Sequence, residues 1–242
     1  MTSGPASTRL RERLRAVTFD VTGTLIHCPR LGELYAEVLR RHHIDLRAED
    51  VNRLFPEVYR ELACATPAFV DRFTQHPDGA KGWWGDLVQR LCARLGVAAP
   101  TPFAIAELYQ RFEHAQAWTV YDDVEPSLER LRGAGLRLGI VANWDERLER
   151  LLGELGLRPR FDVVVSSSAI GLAKPHPAIF QHALDRLGVA AEETVHIGDQ
   201  RIEDFEGARG AGLQALLLRR RGTGDGALAA LARQLVDGRP FG

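Results

Sequence analysis

The second half of the chain alternates short apolar β-type runs with amphipathic helical stretches, and no other feature constrains the fold as strongly. The runs at 136–141 (LRLGIV), 161–165, 194–197 and 213–218 read as strands. Between them, Leu148, Leu151, Leu152 and Leu155 line one face of a helix, and Ile179, Phe180, Ala183, Leu184 and Leu187 line another. Pro177 suits the first turn of that second helix, and residues 202–211 read as a third. Strands separated by helices imply right-handed crossovers and therefore a parallel sheet. An earlier run, 15–20 (RAVTFD), adds a first strand that ends in a carboxylate and runs into the turn Thr22-Gly23-Thr24. The expected fold is an α/β protein with a Rossmann-like core of five parallel strands.

Between the first and second strands the pattern is helical. Residues 31–41, 51–62, 84–95 and 103–115 carry apolar side chains at three- and four-residue steps, as in Leu87, Leu91 and Leu95. Pro67, the stretch 75–79 and Pro100-Thr101-Pro102 separate them. The domain organisation expected is a core built from 1–27 and 119–242, interrupted by an all-helical insert over 28–118. An excursion of that length inside a domain usually has a function. At 242 residues the chain can bury roughly 70–75% of its unfolded surface, so a core of this kind needs no disulfide or metal staple.

Charge and composition exclude several classes. The 31 basic and 32 acidic residues nearly cancel, which gives no basic footprint for nucleic acid. No apolar run approaches the roughly 20 residues a membrane helix needs. Cys28, Cys64 and Cys92 have no paired spacing, so reduced thiols in a cytoplasmic protein are expected. Residues 1–15 are polar and Arg-rich without an apolar stretch, and read as a frayed leader rather than a secretory signal. Lys81 and Lys174 are the only lysines. In so Arg-rich a background, a retained lysine hints at a position that wants an ammonium.

In an open parallel sheet, ligands bind beyond the carboxyl ends of the strands. The first strand ends in Asp20, the second in Ala142-Asn143 and the fourth in Gly198-Asp199, with Asp204 close behind; Lys174-Pro175 follows the third. Three carboxylates and one lysine converge on one rim. Crowded carboxylates repel and need a cation, and an oxygen-rich set suits Mg²⁺. A metal with a lysine can hold a phosphoryl group, and a carboxylate can attack phosphorus to form an aspartyl phosphate.

The ordered motifs Asp20-Val21-Thr22-Gly23-Thr24-Leu25, Lys174-Pro175-His176-Pro177 and Gly198-Asp199 with Asp204 resemble those of the haloacid dehalogenase-like (HAD) superfamily. The resemblance covers residues 15–220, and the helical insert is similar to the cap of the subfamily that includes phosphoglycolate phosphatases and haloacid dehalogenases. It implies the sheet order 5-4-1-2-3, counting the five strands along the chain. It further implies that Asp20 is the nucleophile and that Mg²⁺ is held by Asp20, Asp199 and the Thr22 carbonyl, with Asp204 supporting through water. Lys174 would neutralise the nucleophile and the phosphoryl oxygens. The implied partner is a small phosphorylated molecule.

Two positions depart from the family pattern. Thr22 stands where HAD phosphatases carry an Asp as general acid/base, a role typically worth about 10²–10⁴-fold. The resulting Asp-x-Thr-Gly-Thr resembles P-type ATPases, whose aspartyl phosphate is long-lived. Ala142 stands where the family has a hydroxyl that donates to the phosphoryl group; one such donor is worth about 10²–10³ in rate, with Asn143 as the neighbour able to compensate. Three functions therefore stay open: a slow Mg²⁺-dependent phosphatase, an impaired relative that binds a phosphorylated ligand or protein partner, and a haloacid dehalogenase with Asp20 attacking carbon. Among the remaining candidates, His196 reads as a hydrogen-bonded core histidine, His176 as a helix start, and His42 and His43 as a helix surface. Trp83 and Trp84 read as cap core, with the glycines before them leaving one free to face the cleft, and Arg219-Arg220-Arg221 reads as a solvated strand end.

Overall fold

All four side chains of β1 (Ala16–Phe19) are buried, as a strand covered on both faces requires. The computed structural model describes residues 14–222 and 224–238, so the expected leader lies, apart from Leu14 and Arg15, outside the described residues. After β1 come β2 (Ile26–His27), then the helices α1 (Leu31–Arg41), α2 (Ala48–Cys64), α3 (Arg72–Gln75), α4 (Gly79–Leu95) and α5 (Pro102–Arg111). Next are β3 (Thr119–Val120), α6 (Val124–Gly133), β4 (Arg137–Ala142), α7 (Leu148–Glu154), β5 (Val163–Ser166), α8 (Ser167–Ile170) and α9 (Pro177–Leu187). The chain continues through β6 (Thr194–Gly198), a wide π-turn over Arg201–Glu206, α10 (Gly207–Gly210), β7 (Gln214–Leu217) and α11 (Ala227–Asp237).

Five strands form one sheet in the order β7-β6-β1-β4-β5, and every pairing is parallel. β1 occupies the centre, with Phe19 opposite Ile140 on one side and Ile197 on the other. The Asp20 N–H continues the ladder to the Ile197 carbonyl at 2.9 Å. Asp20, Asn143 and Asp199 therefore leave the sheet at one rim. On one face Val17, Phe19, Ile140 and Ile197 pack with α6, α7 and α11; on the other Val141 and Val165 pack against Phe180 and Leu184 of α9.

The helices α1 to α5 enclose a second apolar core that includes Tyr35, Leu39, Val58, Trp83, Leu87 and Leu91. Their ends follow local chemistry. Thr101 caps α5 through its hydroxyl, which accepts from Ala104 N–H at 3.2 Å. Asp71 caps α3 by accepting from Phe73 and Thr74 N–H. The helical segment leaves and rejoins the sheet through a two-stranded antiparallel ribbon, where Ile26 faces Val120 and His27 faces Thr119. It also hydrogen-bonds directly to the sheet domain. Trp84 Nε1 donates to Asp145 Oδ2 at 2.8 Å, and the Arg147 guanidinium, which also clasps Asp145, donates to the Tyr109 carbonyl at 2.8 Å.

Several local expectations need correction. The helix expected over 202–211 begins as a π-turn, because Asp204 is drawn inward and its carboxylate takes the Gln200 N–H. The glycines before the tryptophan pair do not form a loop; α4 starts at Gly79, Trp83 is buried in the helical core and Trp84 is tied to Asp145. Arg220 is not solvated. It is buried, 3.0 Å from Asp123 and stacked 3.7 Å over the Tyr121 ring, with its guanidinium donating to the Thr24 carbonyl at 2.6 Å. All three cysteines are free thiols. Among the described residues, no helix is long and apolar enough to cross a membrane.

Candidate active site

Asp20, Asp199 and Asp204 bring carboxylate oxygens within 4.8 Å of one another at the carboxyl rim of the sheet. Two glycines allow this approach. Gly23, at φ +82°, turns the loop after β1 so tightly that a Cβ there would stand 2.6 Å from Asp199 Oδ2. A Cβ at Gly198 would collide with the Asp204 carboxyl, so a bare backbone at that position lets the π-turn fold Asp204 back over β6. Single π-turns of this kind are frequent at functional sites.

Lys174 stands among these acids. Its ammonium donates to Asp20 Oδ1 at 2.7 Å and to Asp204 Oδ1 at 2.6 Å, with the side chain almost wholly buried. Burial alone would lower its pKa, but the two carboxylates outweigh that and hold the ammonium charged. Burial pushes the Asp20 carboxyl up to about 8, against the pull of Lys174 and with Asp204 and Asp199 adding to the rise. Burial, and then Asp204, push Asp199 up to about 6. Asp204 goes the other way: burial opposes ionisation, yet Lys174 and His196 hold it well below the usual carboxylate range. Lys174 lowers the pKa of both acids, but Asp204 and Asp199 raise that of Asp20 whereas His196 lowers that of Asp204 further. Asp204 also accepts from Gln200 N–H at 2.8 Å and from His196 Nε2 at 3.3 Å. His196 is buried and kept neutral by that burial, with Nδ1 taking the Thr18 hydroxyl at 2.9 Å.

The donor set suits a cation. Asp199 Oδ1 is buried without a hydrogen-bond partner, and burying an unpartnered carboxylate oxygen is costly. One ammonium faces three carboxylates, all oxygen donors of the kind hard divalent cations prefer. The residues present therefore fit Mg²⁺.

The other sequence-predicted positions divide. Thr22 lies in the turn beside the cluster with an exposed side chain. Ala142 presents only a buried methyl at the end of β4. Asn143 is committed elsewhere: its amide donates to the Lys174 carbonyl at 3.0 Å and to Glu203 Oε2 at 2.9 Å, while Oδ1 accepts the Lys174 N–H at 2.7 Å. It positions the lysine's backbone, and its side chain does not replace the donor missing at Ala142. His176 caps α9 through Nδ1, which accepts from Ala178 N–H. Sequence reading missed Glu203, Arg72 and Tyr59. Glu203 gave no signal beyond its place in the helix after Asp199, Tyr59 sits inside an apolar helical pattern, and Arg72 lies in the stretch between two such patterns.

A parallel sheet with β1 at its centre, an acidic rim and a buried lysine defines a class of hydrolase. The family model for haloacid dehalogenase-like hydrolases matches residues 14–212, and the chain belongs to that family. The human haloacid dehalogenase-like hydrolase domain-containing protein 3 is 35% identical over 212 residues, covering 86% of this chain and 83% of that protein. A glyceraldehyde 3-phosphate phosphatase from Methanopyrus kandleri is 33% identical over 214 residues, covering 86% and 84%. Among solved structures, the magnesium-bound HAD hydrolase YfnB from Bacillus subtilis superposes with a TM-score of 0.73 at 21% identity, covering 92% of this chain and 99% of that one.

Proposed function

We propose that this hydrolase is a Mg²⁺-dependent phosphatase of small phosphate esters, with residues 28–118 acting as a cap over the core site. The observation that carries the reading is the trio of Asp199 with the buried Asp20 and Asp204 around Lys174, with an unpartnered Asp199 oxygen. Asp20, Asp199 and the Thr22 carbonyl would hold the metal, and Asp204 would support it. The ion supplies charge stabilisation for the phosphoryl oxygens.

Asp20 attacks phosphorus as a carboxylate. A bond forms from its oxygen to phosphorus, the ester P–O bond breaks, and the leaving oxygen departs with the bonding pair and takes a proton. Lys174 favours the ionised form of the nucleophile, against the burial that raises its pKa, and faces the transferred group. Water then attacks the aspartyl phosphate at phosphorus, the P–O bond to Asp20 breaks, and inorganic phosphate and a proton are released. Thr22 has a hydroxyl whose pKa is far too high to take that proton near neutral pH. Hydrolysis of the phosphoenzyme is accordingly the slow step, and esters with good leaving groups are the best substrates. Kinship with a protein named as a glyceraldehyde 3-phosphate phosphatase supports this reading over dehalogenation. Ala142 and Thr22 favour the second reading, a protein that holds a phosphorylated ligand with little turnover. Steady-state assay of aryl phosphates with and without Mg²⁺ separates the two. Metal-dependent release of phosphate supports the first, and tight binding without release supports the second.

A further inference from the structure

Arg72 is a buried cation at the boundary between the helical segment and the sheet domain, and none of the chemistry above uses it. Its guanidinium lies against the rings of Tyr59, Trp83 and Phe73, at 5.3, 5.6 and 5.8 Å from their centroids. Nη1 donates to the Tyr59 hydroxyl at 2.7 Å. Across the boundary, Nη2 faces Glu203 Oε1 at 3.8 Å, too far for a hydrogen bond. The other oxygen of Glu203 is held by Asn143, which in turn clasps the Lys174 backbone.

Arg72 is also held in register with that lysine. Phe69 accepts the Ala173 N–H at 3.0 Å and the Asp71 N–H donates to the Gly171 carbonyl at 3.1 Å, so the segment leading into α3 is stitched to the loop that ends at Lys174. The rings and the Tyr59 hydroxyl hold the guanidinium in place while its face toward the site keeps only a loose counter-charge. A planar fork so arranged suits a carboxylate or phosphate.

Building on the phosphatase reading, we infer that Arg72 is a specificity residue: it takes an oxyanion on the part of the substrate that is not transferred, displacing Glu203. The preferred esters then carry a second anionic group a few bonds from the phosphate. The stitching fixes the guanidinium relative to Lys174, so the spacing between the two anions is selected as well as the charge.

Phosphonoacetate and ethylphosphonate test this directly. They differ in a carboxylate against a methyl, and neither has an ester bond to cleave. Titrated calorimetrically into the Mg²⁺-loaded protein, phosphonoacetate is expected to bind about tenfold tighter, the scale of one charge-assisted hydrogen-bonded contact. In Arg72→Gln the gap closes to about twofold while ethylphosphonate binding is unchanged. In Glu203→Gln, which removes the competing carboxylate without disturbing the aromatic cradle, phosphonoacetate binds several-fold tighter and ethylphosphonate as before. Equal binding of the two by wild type, equal weakening of both by Arg72→Gln, or weaker phosphonoacetate binding by Glu203→Gln overturns the assignment. If neither phosphonate binds, the phosphate site itself is wrong, and the role of Arg72 falls with it.

Discussion

The Lys174 ammonium stands 2.7 Å from Asp20 Oδ1, although 154 residues separate the two in the chain. The carboxyl end of β1 and the loop after β5 meet there, and Asn143 holds that loop by both backbone groups of Lys174. The pair is buried, so its geometry and charge balance matter more than those of any surface ion pair.

Lys174→Met leaves the three acids without their cation. The expected cost is about 3–5 kcal/mol of stability in metal-free buffer at pH 8. Part of it returns on adding Mg²⁺, and part on lowering the pH toward 5, where Asp20 and Asp199 hold protons. Urea unfolding under the three conditions measures it. Equal stability to wild type in all three would show that the lysine does not balance this cluster.

Mg²⁺ binding should be pH-dependent in a stated direction. Asp199 and Asp20 are pushed up to about 6 and about 8, chiefly by burial. The folded metal-free protein therefore binds more protons than the unfolded chain between the ordinary value of 3.8 and these values. Their contribution to stability is complete below 3.8 and is lost as pH climbs through about 6 and about 8. A divalent ion must displace those protons, so the rise in melting temperature produced by Mg²⁺ grows from pH 6 to pH 8. Thermal melts with and without Mg²⁺ read this, and a rise that shrinks with pH would contradict it.

Arg220 fastens the turn that follows the nucleophile. It pairs with Asp123, whose other oxygen accepts the Leu228 N–H of α11, and it donates to the Thr24 carbonyl. Arg220→Met strands a buried carboxylate and should cost about 3–5 kcal/mol. Adding Asp123→Asn should recover part of that loss, because the remaining buried group is then neutral. Denaturant unfolding of the two single variants and the double variant gives the coupling.

The site's four charged residues were legible because each closes or follows a β-run, and a parallel sheet brings those ends to one rim. The parallel sheet was legible for the same reason. Arg220 was not: three consecutive arginines after a strand look like a solvated end, and Asp123 and Tyr121, which bury the middle one, lie about a hundred residues away. The β2–β3 ribbon was invisible because two-residue strands carry no periodicity. The π-turn reads as an ordinary helix start, since what widens it is the pull of Asp204 toward Lys174 and Gln200 rather than any local propensity. Asn143 stands in sequence beside the missing hydroxyl, but its amide faces the Lys174 backbone, a tertiary contact that neighbourhood in sequence does not reveal.

Thr22→Asp should speed turnover of aryl phosphates about ten- to a hundredfold, within the range expected for restoring a general acid/base. Thr22→Val, which removes the hydroxyl and keeps the shape, should change the rate little. A fall in rate on Thr22→Asp, measured at saturating Mg²⁺, would place the limitation at Ala142 instead.

The most direct measurement is a rapid acid quench of the Mg²⁺-loaded protein mixed with a radiolabelled aryl phosphate. The predicted result is a burst of label bound to wild-type protein that decays slowly, and in Thr22→Asp decays faster. Asp20→Asn should show no label and no turnover, because an amide is a poor nucleophile and metal ligand. Undiminished turnover in Asp20→Asn would contradict the account, as would wild-type turnover that never passes through a labelled protein.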